Sequence, residues 1–339
     1  MQRSTFPCKR SARRGNRRKF SDFQTGTRTT RNECRRNQTQ EITPTAVYVL
    51  QPFYIFHPKD SIFAVMEFEV HILGCGSALP TTRHFASSQV VNIREKLFMI
   101  DCGEGAQLQL RRSKLKFTRL NHIFISHLHG DHCFGLMGLI STFGLVGRTA
   151  TLHIHCHADL ERILTPQLEY FCKGMAYNVE FHLINPTKAE VVYEDRSVTV
   201  SSIPLRHRIP TCGFLFAEKP TPNHIIRDMI DFYKVPVFEL NRIKNGEDYV
   251  LPDGTVIPNN RLTTPPAPPR SYAYCSDTIF HRPIIEQIKE VNLLFHEATF
   301  AQCDAQRAKE TFHTTAMQAG EIARDADVNS YSSDIFRPL

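Results

Sequence analysis

From Phe68 onward the hydrophobic positions settle into a regular pattern. Phe68, Val70 and Ile72 alternate with Glu67, Glu69 and His71, predicting a half-exposed strand that ends in the tight turn Gly74-Cys75-Gly76-Ser77. Apolar runs at 90–93 and 97–100 predict a hairpin, and the second run stops at Asp101-Cys102-Gly103-Glu104-Gly105. A helix is expected over 107–112, a buried strand at 123–125, a helix over 136–143, a strand at 152–156 and a helix over 160–171 that carries Pro166. Two more strands follow at 191–193 and 198–203, the latter releasing His207. Residues 272–275 and 291–295 predict buried strands that deliver Ser276-Asp277-Thr278 and His296-Glu297-Ala298-Thr299. The last helix spans 316–326, with Thr314 or Thr315 as its cap. Strands and helices alternate, and polar residues repeatedly emerge where strands end. That is the pattern of a layered α/β fold with a site along one edge.

Residues 219–270 break this rhythm. Lys219-Pro220-Thr221-Pro222 opens the stretch and Pro265-Pro266-Ala267-Pro268-Pro269 closes it; a helix at 225–233 and a turn at Pro252-Asp253-Gly254 lie between. An insertion hinged by prolines in this way reads as a protruding arm.

Charge separates the first 65 residues from the rest. They hold 13 Lys and Arg against four acids, whereas the remaining 274 residues hold 28 basic and 30 acidic groups, so the formal charge of +7 belongs to the leader. A basic leader of this kind suits a nucleic-acid tail, a transit segment or a secretion signal, or is upstream sequence ahead of a start at Met66. The last reading is the expectation here, and N-terminal mass spectrometry of the native protein tests it. Ten cysteines include no C-x-x-C pair, and four of them (Cys75, Cys102, Cys133, Cys275) flank apolar runs. They read as reduced thiols of a cytoplasmic protein rather than a disulfide framework. No apolar run reaches the roughly 18 residues of a membrane helix.

The chemistry is concentrated in Ser126-His127-Leu128-His129-Gly130-Asp131-His132. Residues two apart on an extended chain point the same way, so His127 and His129 can hold one ion together. Gly130 bends the chain, turning Asp131 and His132 toward a second ion. His207 is a natural fifth ligand, and Asp277, with small neighbours, a natural bridging carboxylate. Two divalent ions about 3.5–4 Å apart activate water and stabilise phosphoryl charge during in-line displacement. His153, His155 and His157 have period two, but no carboxylate follows them at ligand spacing, so they read as one face of a strand.

The segment resembles the H-x-H-x-D-H signature of the metallo-β-lactamase superfamily. Within it, the strand from Phe68 to Thr81, the segment from Phe98 to Gly105, Pro204-Leu205-Arg206-His207, Ser276-Asp277-Thr278, His296-Glu297-Ala298-Thr299-Phe300 and His313-Thr314-Thr315 resemble, in order and spacing, the tRNA 3′-processing ribonucleases Z. The resemblance runs from about Met66 to Val328. It implies a four-layer αββα sandwich and two Zn2+ per subunit. His127, His129 and His207 would bind one zinc, Asp131 and His132 the other, and Asp277 would bridge. Asp131 would also act as general base, and His313 would contact the scissile phosphate and protonate the leaving oxygen. Asp101, His296 and Glu297 would brace ligands. The implied substrate is precursor tRNA, cut by a cytoplasmic homodimer whose arm grips the tRNA elbow. Lys219, Arg227, Lys234, Arg242 and Lys244 are the basic residues available for that grip.

One departure stands out. The family supplies a last histidine for the second zinc from Gly-His-Phe-Ser, about 22 residues beyond the position of His313. Here that place holds Asp334-Ile335-Phe336, and no histidine follows His313. Read one base out of register, codons for Tyr331 through Arg337 can spell Leu-Ile-Gly-His-Phe-Ser. The expectation is a frameshift near Ser330, a lost final strand and tail, and an incomplete second metal site; resequencing the 3′ end of the gene tests it.

Overall fold

Strand formation follows the apolar alternation closely, because each alternate set has a different layer to face. The computed structural model describes residues 46–49 and 67–333, apart from 77, 80, 82 and 83, all within one compact unit spanning Gln40–Leu339. The first sheet contains β1 (Ala46–Val49), β2 (Phe68–Gly74), β3 (Ser88–Ile93), β4 (Lys96–Ile100), β5 (Leu120–Phe124), β6 (Leu152–Cys156) and β7 (Val179–Leu183), in that spatial order. Its first four strands are antiparallel and its last four parallel. Before the arm come β8 (Val191–Glu194), β9 (Val198–Pro204) and β10 (Cys212–Glu218). The arm contributes β11 (His224–Ile225), β12 (Tyr249–Val250), β13 (Val256–Ile257) and β14 (Thr263–Thr264). After it come β15 (Ser271–Cys275), β16 (Leu293–His296) and β17 (Tyr331–Ser332). The second sheet has the order β17-β16-β15-β10-β9-β8.

The period of two sorts side chains between layers. On β4, Phe98 and Ile100 join a core between the two sheets, with Phe124, Phe214, Phe216 and Tyr274. Leu97 and Met99 face the other way, against α1 (Ala106–Arg112), α3 (Leu136–Leu145) and α4 (Ala158–Phe171). The short α2 (Gly130–Cys133) lies in the metal segment. The second sheet is covered on its outer face by a 3-10 turn at Arg282–Glu286 and by α9 (Ala316–Asp325). Thr315 caps α9 in a reciprocal box with Gln318. The layers are therefore α, β, β, α.

The arm carries α5 (Arg227–Phe232), α6 (Leu240–Lys244) and α7 (Asn259–Leu262) around a small core of its own, including Ile230, Ile243, Tyr249 and Leu262. It springs from neighbouring strands, since Ala217 on β10 pairs with Ser271 on β15. At its base Arg270 grips Glu218 through two side-chain contacts of 2.8 Å, and Arg94 adds a third at 3.1 Å. Beyond the arm, α8 (Ala305–Thr311) precedes His313.

Several strands depart from the sequence reading, β7 and the short arm strands among them. β10, central in the second sheet, was not expected, although Phe214 and Phe216 carry the period of two. β1 pairs with β2 from within residues 1–65. At the other end Tyr331 and Ser332 pair in parallel with Leu294 and Phe295. Residues 1–45, 50–66 and 334–339, with the rest of the leader and the site of the implied last histidine, lie outside the described residues.

Candidate metal centre

β5 and β10, although in different sheets, meet where their ends face: the Cys212 amide donates to the Ser126 carbonyl at 3.1 Å. The metal segment starts there. Beyond it α2 turns back at Gly130, and the backbone passes so close to the loop after β4 that a Cβ on Gly103 would stand 2.2 Å from the Asp131 carbonyl oxygen. From the second sheet, β9 delivers His207, β15 delivers Asp277, and the turn before α9 delivers His313.

Four donors converge. The ligand atoms of His127, His129, His207 and Asp277 all lie within 4.8 Å of one another. His129 Nδ1 stands 3.0 Å from His127 Nε2 and 3.3 Å from His207 Nε2. The edge of a tetrahedral site with bonds of about 2.0–2.1 Å measures about 3.3 Å, so the spacing suits one ion. Burial, reinforced by neighbouring imidazoles, holds His127 well below the ordinary histidine value and brings His207 down to about 4. Neutral rings present the lone pairs that a cation needs. On this donor set and spacing, the residues fit a divalent metal.

Asp277 faces both ways. Its Oδ2 lies 3.6 Å from His127 Nε2 and 3.7 Å from His207 Nε2, while its Oδ1 lies 3.7 Å from His132 Nε2. Asp131 Oδ2 is 3.7 Å from the same His132 nitrogen. His132 Nε2 thus stands 3.7 Å from a carboxylate oxygen of each of Asp131 and Asp277. Burial opposes a charge on His132, but Asp101, Asp277 and Asp131 outweigh it and push the ring up to about 10.

Supporting contacts fix the rings. Asp101 Oδ2 accepts from His132 Nδ1 at 2.7 Å, aiming Nε2 into the centre. The same carboxylate accepts from the Ser126 amide, the Ser126 hydroxyl and the Tyr274 hydroxyl. These bonds hold Asp101 in the left-handed region, at φ 55°. His207 Nδ1 donates to the Phe312 carbonyl at 2.8 Å. Glu297 Oε1 lies 3.1 Å from His313 Nδ1 and accepts from the Thr314 and Thr278 amides, so it orients His313 without reaching the centre. His296 does not join it: its Nδ1 donates to the Glu297 carbonyl, and its buried Nε2 meets no hydrogen-bond partner. Ser126 and Tyr274 were not singled out from sequence. A tyrosine in a buried strand was the available signal, because its hydroxyl must find a partner. Replacing Asp101 by asparagine is expected to weaken metal binding about 10- to 100-fold, with the protein still folded, as equilibrium dialysis would show.

Of the arm residues, Lys219, Arg227 and Arg242 are engaged in ion pairs with Glu194, Asp231 and Glu247. Among the described residues no ion pair involves Lys234 or Lys244, both exposed. His157 parts from His153 and His155, its Nε2 lying 3.9 Å from the Cys212 sulfur. Cys102, Cys133, Cys156, Cys172, Cys212 and Cys275 are free thiols.

A family profile described as Anti-Pycsar protein Apyc1 matches residues 68–225. Ribonuclease Z of Phocaeicola vulgatus is 78% identical over 262 residues, which cover 77% of this chain and 85% of that protein. Ribonuclease Z of Porphyromonas gingivalis is 60% identical over 259 residues, with 76% and 85% covered. Among solved structures, the short form of human tRNase Z is 25% identical, with a TM-score of 0.59 over 79% of this chain and 92% of that one. The metallo-β-lactamase fold protein YhfI from Bacillus subtilis shares the fold at 17% identity, with a TM-score of 0.54 over 80% and 87%. The αββα layers and the histidine–aspartate centre thus coincide with a match across most of the described chain: it belongs to the ribonuclease Z family.

Proposed function

We propose that this chain is a zinc-dependent endoribonuclease that cuts precursor tRNA at its 3′ trailer, working in the cytoplasm as a homodimer. Family membership supports the tRNA substrate, and the histidine-rich donor set with one bridging carboxylate supports zinc. Among the described residues no helix is long and apolar enough to cross a membrane. The observation that carries the reading is Asp277, with one oxygen toward each group of histidines.

Bound ions would supply Lewis acidity toward the phosphodiester and acidify water at neutral pH. Asp131, at the rim beside His132, orients the attacking water and accepts its proton. Attack at phosphorus breaks the bond to the 3′-oxygen of the tRNA, leaving a 3′-hydroxyl there and a 5′-phosphate on the trailer. His313 supplies the proton for that departing oxygen. Burial disfavours its charge, but the Glu297 carboxylate outweighs burial and raises its pKa, and its Nε2 faces the centre 4.0 Å from Asp277 Oδ2. The arm holds the body of the tRNA, Lys234 and Lys244 being exposed cations that it offers for phosphate contacts.

Zinc-loaded protein mixed with precursor tRNA is expected to release a trailer bearing a 5′-phosphate, and to act far more slowly on a simple phosphodiester. Binding of the tRNA without cleavage, in excess zinc or manganese, would overturn the proposal. His313→Ala should lower the single-turnover rate about 10²-fold while leaving metal content unchanged.

A further inference from the structure

Early in β6 stands a second set of donors. His153 Nδ1 lies 3.0 Å from His182 Nε2 and 3.4 Å from Glu180 Oε2, both on the edge strand β7. The ligand atoms of the three lie within 4.8 Å of one another. His153 is paired in register with His122, five residues before His127, so about 16 Å of extended chain separates this cluster from the metal segment. We propose that His153, Glu180 and His182 form an accessory site for a divalent late first-row cation such as zinc, which staples the edge strand to its neighbour.

The spacing matches the tetrahedral edge of about 3.3 Å expected of zinc ligands. Two imidazoles and one carboxylate are a donor set that zinc, nickel and copper accept, with water completing the shell. Glu180 and His182 are exposed and His153 half-buried, so an ion can enter from solvent.

The rings are also held in place from behind. His122 stacks on His153 with centroids 4.8 Å apart, and His155 stacks on His182 at 4.7 Å. His122 Nδ1 lies 3.2 Å from His155 Nε2, closing a square of four imidazoles against Tyr193. Burial, with the neighbouring rings, lowers His122 to about 4 and His155 to about 3. A proton on any ring would face three other imidazoles, whereas a divalent ion draws on the lone pairs of His153 and His182 and on the Glu180 carboxylate. Period two along β6 showed only one side of this arrangement; the carboxylate comes from the next strand.

The test uses the full chain, stripped with chelator, reloaded with zinc chloride, gel-filtered and assayed for metal by plasma mass spectrometry. His182→Gln and Glu180→Gln should each retain one equivalent less than wild type, and cleavage by His182→Gln should equal that of wild type. Asp277→Ala should lose metal from the catalytic centre and keep the accessory ion. Copper titration followed by electron paramagnetic resonance should show two-nitrogen coupling at this site that vanishes in His182→Gln. Equal metal content in wild type and His182→Gln, or an accessory ion lost on gel filtration, would overturn the proposal. The readout is metal content, so it stands apart from whether the chain cuts tRNA.

Discussion

Alanine at Asp277 is expected to abolish cleavage of precursor tRNA, lowering kcat/KM by about 10³-fold or more, and to lower metal content in the same protein. The double effect follows from position. One carboxylate oxygen faces His127 and His207, and the other faces His132. Losing it removes the one carboxylate that faces both groups, leaving His127 and His207 without theirs and His132 with Asp131 and Asp101 alone. Burial raises the Asp277 carboxyl to about 6 against the pull of His132 and His313, a sign of how dependent it is on nearby positive charge. Single-turnover kinetics and metal analysis on one preparation decide the matter. A variant that keeps its metal and cuts near the wild-type rate would remove Asp277 from the centre.

Arg270→Ala is expected to cost about 3 kcal/mol of stability, because it strands the Glu218 carboxylate inside the protein. Glu218 and Arg270 are 6% and 7% exposed. The guanidinium makes two contacts of 2.8 Å and also lies over the Phe68 ring, 5.4 Å from its centroid. Arg94 remains as a partial substitute, which places the effect at the lower end of the range for breaking a buried pair. Burial alone would raise the Glu218 pKa, but the Arg270 contacts outweigh it and hold it below the ordinary value. The sign follows. A depressed carboxyl stabilises the fold above the unfolded value of about 4.3, and that contribution is lost as pH falls through the lower folded value. Chemical denaturation at neutral and acidic pH should therefore show the two proteins drawing together in acid. A loss under about 1 kcal/mol at neutral pH would mean that Arg94 suffices alone.

The metal segment was legible because its spacing is local: ligands two residues apart on an extended chain, then a bend. His207 and Asp277 were legible as polar residues released by strands. The supporting shell was less so, since Asp101 reaches His132 through a fold contact across 31 positions, and Tyr274 reaches Asp101 across 173. His296 shows the limit of adjacency. It neighbours Glu297 in sequence, yet its ring turns to backbone while Glu297 meets His313. β10 was overlooked because Cys212, Gly213 and Ala217 dilute its apolar signal, although Phe214 and Phe216 sit at the centre of the packing between the sheets.

His127, His129, Asp131 and His132 arrive with one sheet; His207, Asp277 and His313 arrive with the other. Neither half can assemble the centre alone. The ions that this site is built to hold thus act as a checkpoint on folding: a chain captures them firmly only after its two sheets have docked in register, and a chain that has captured them resists coming apart along that edge.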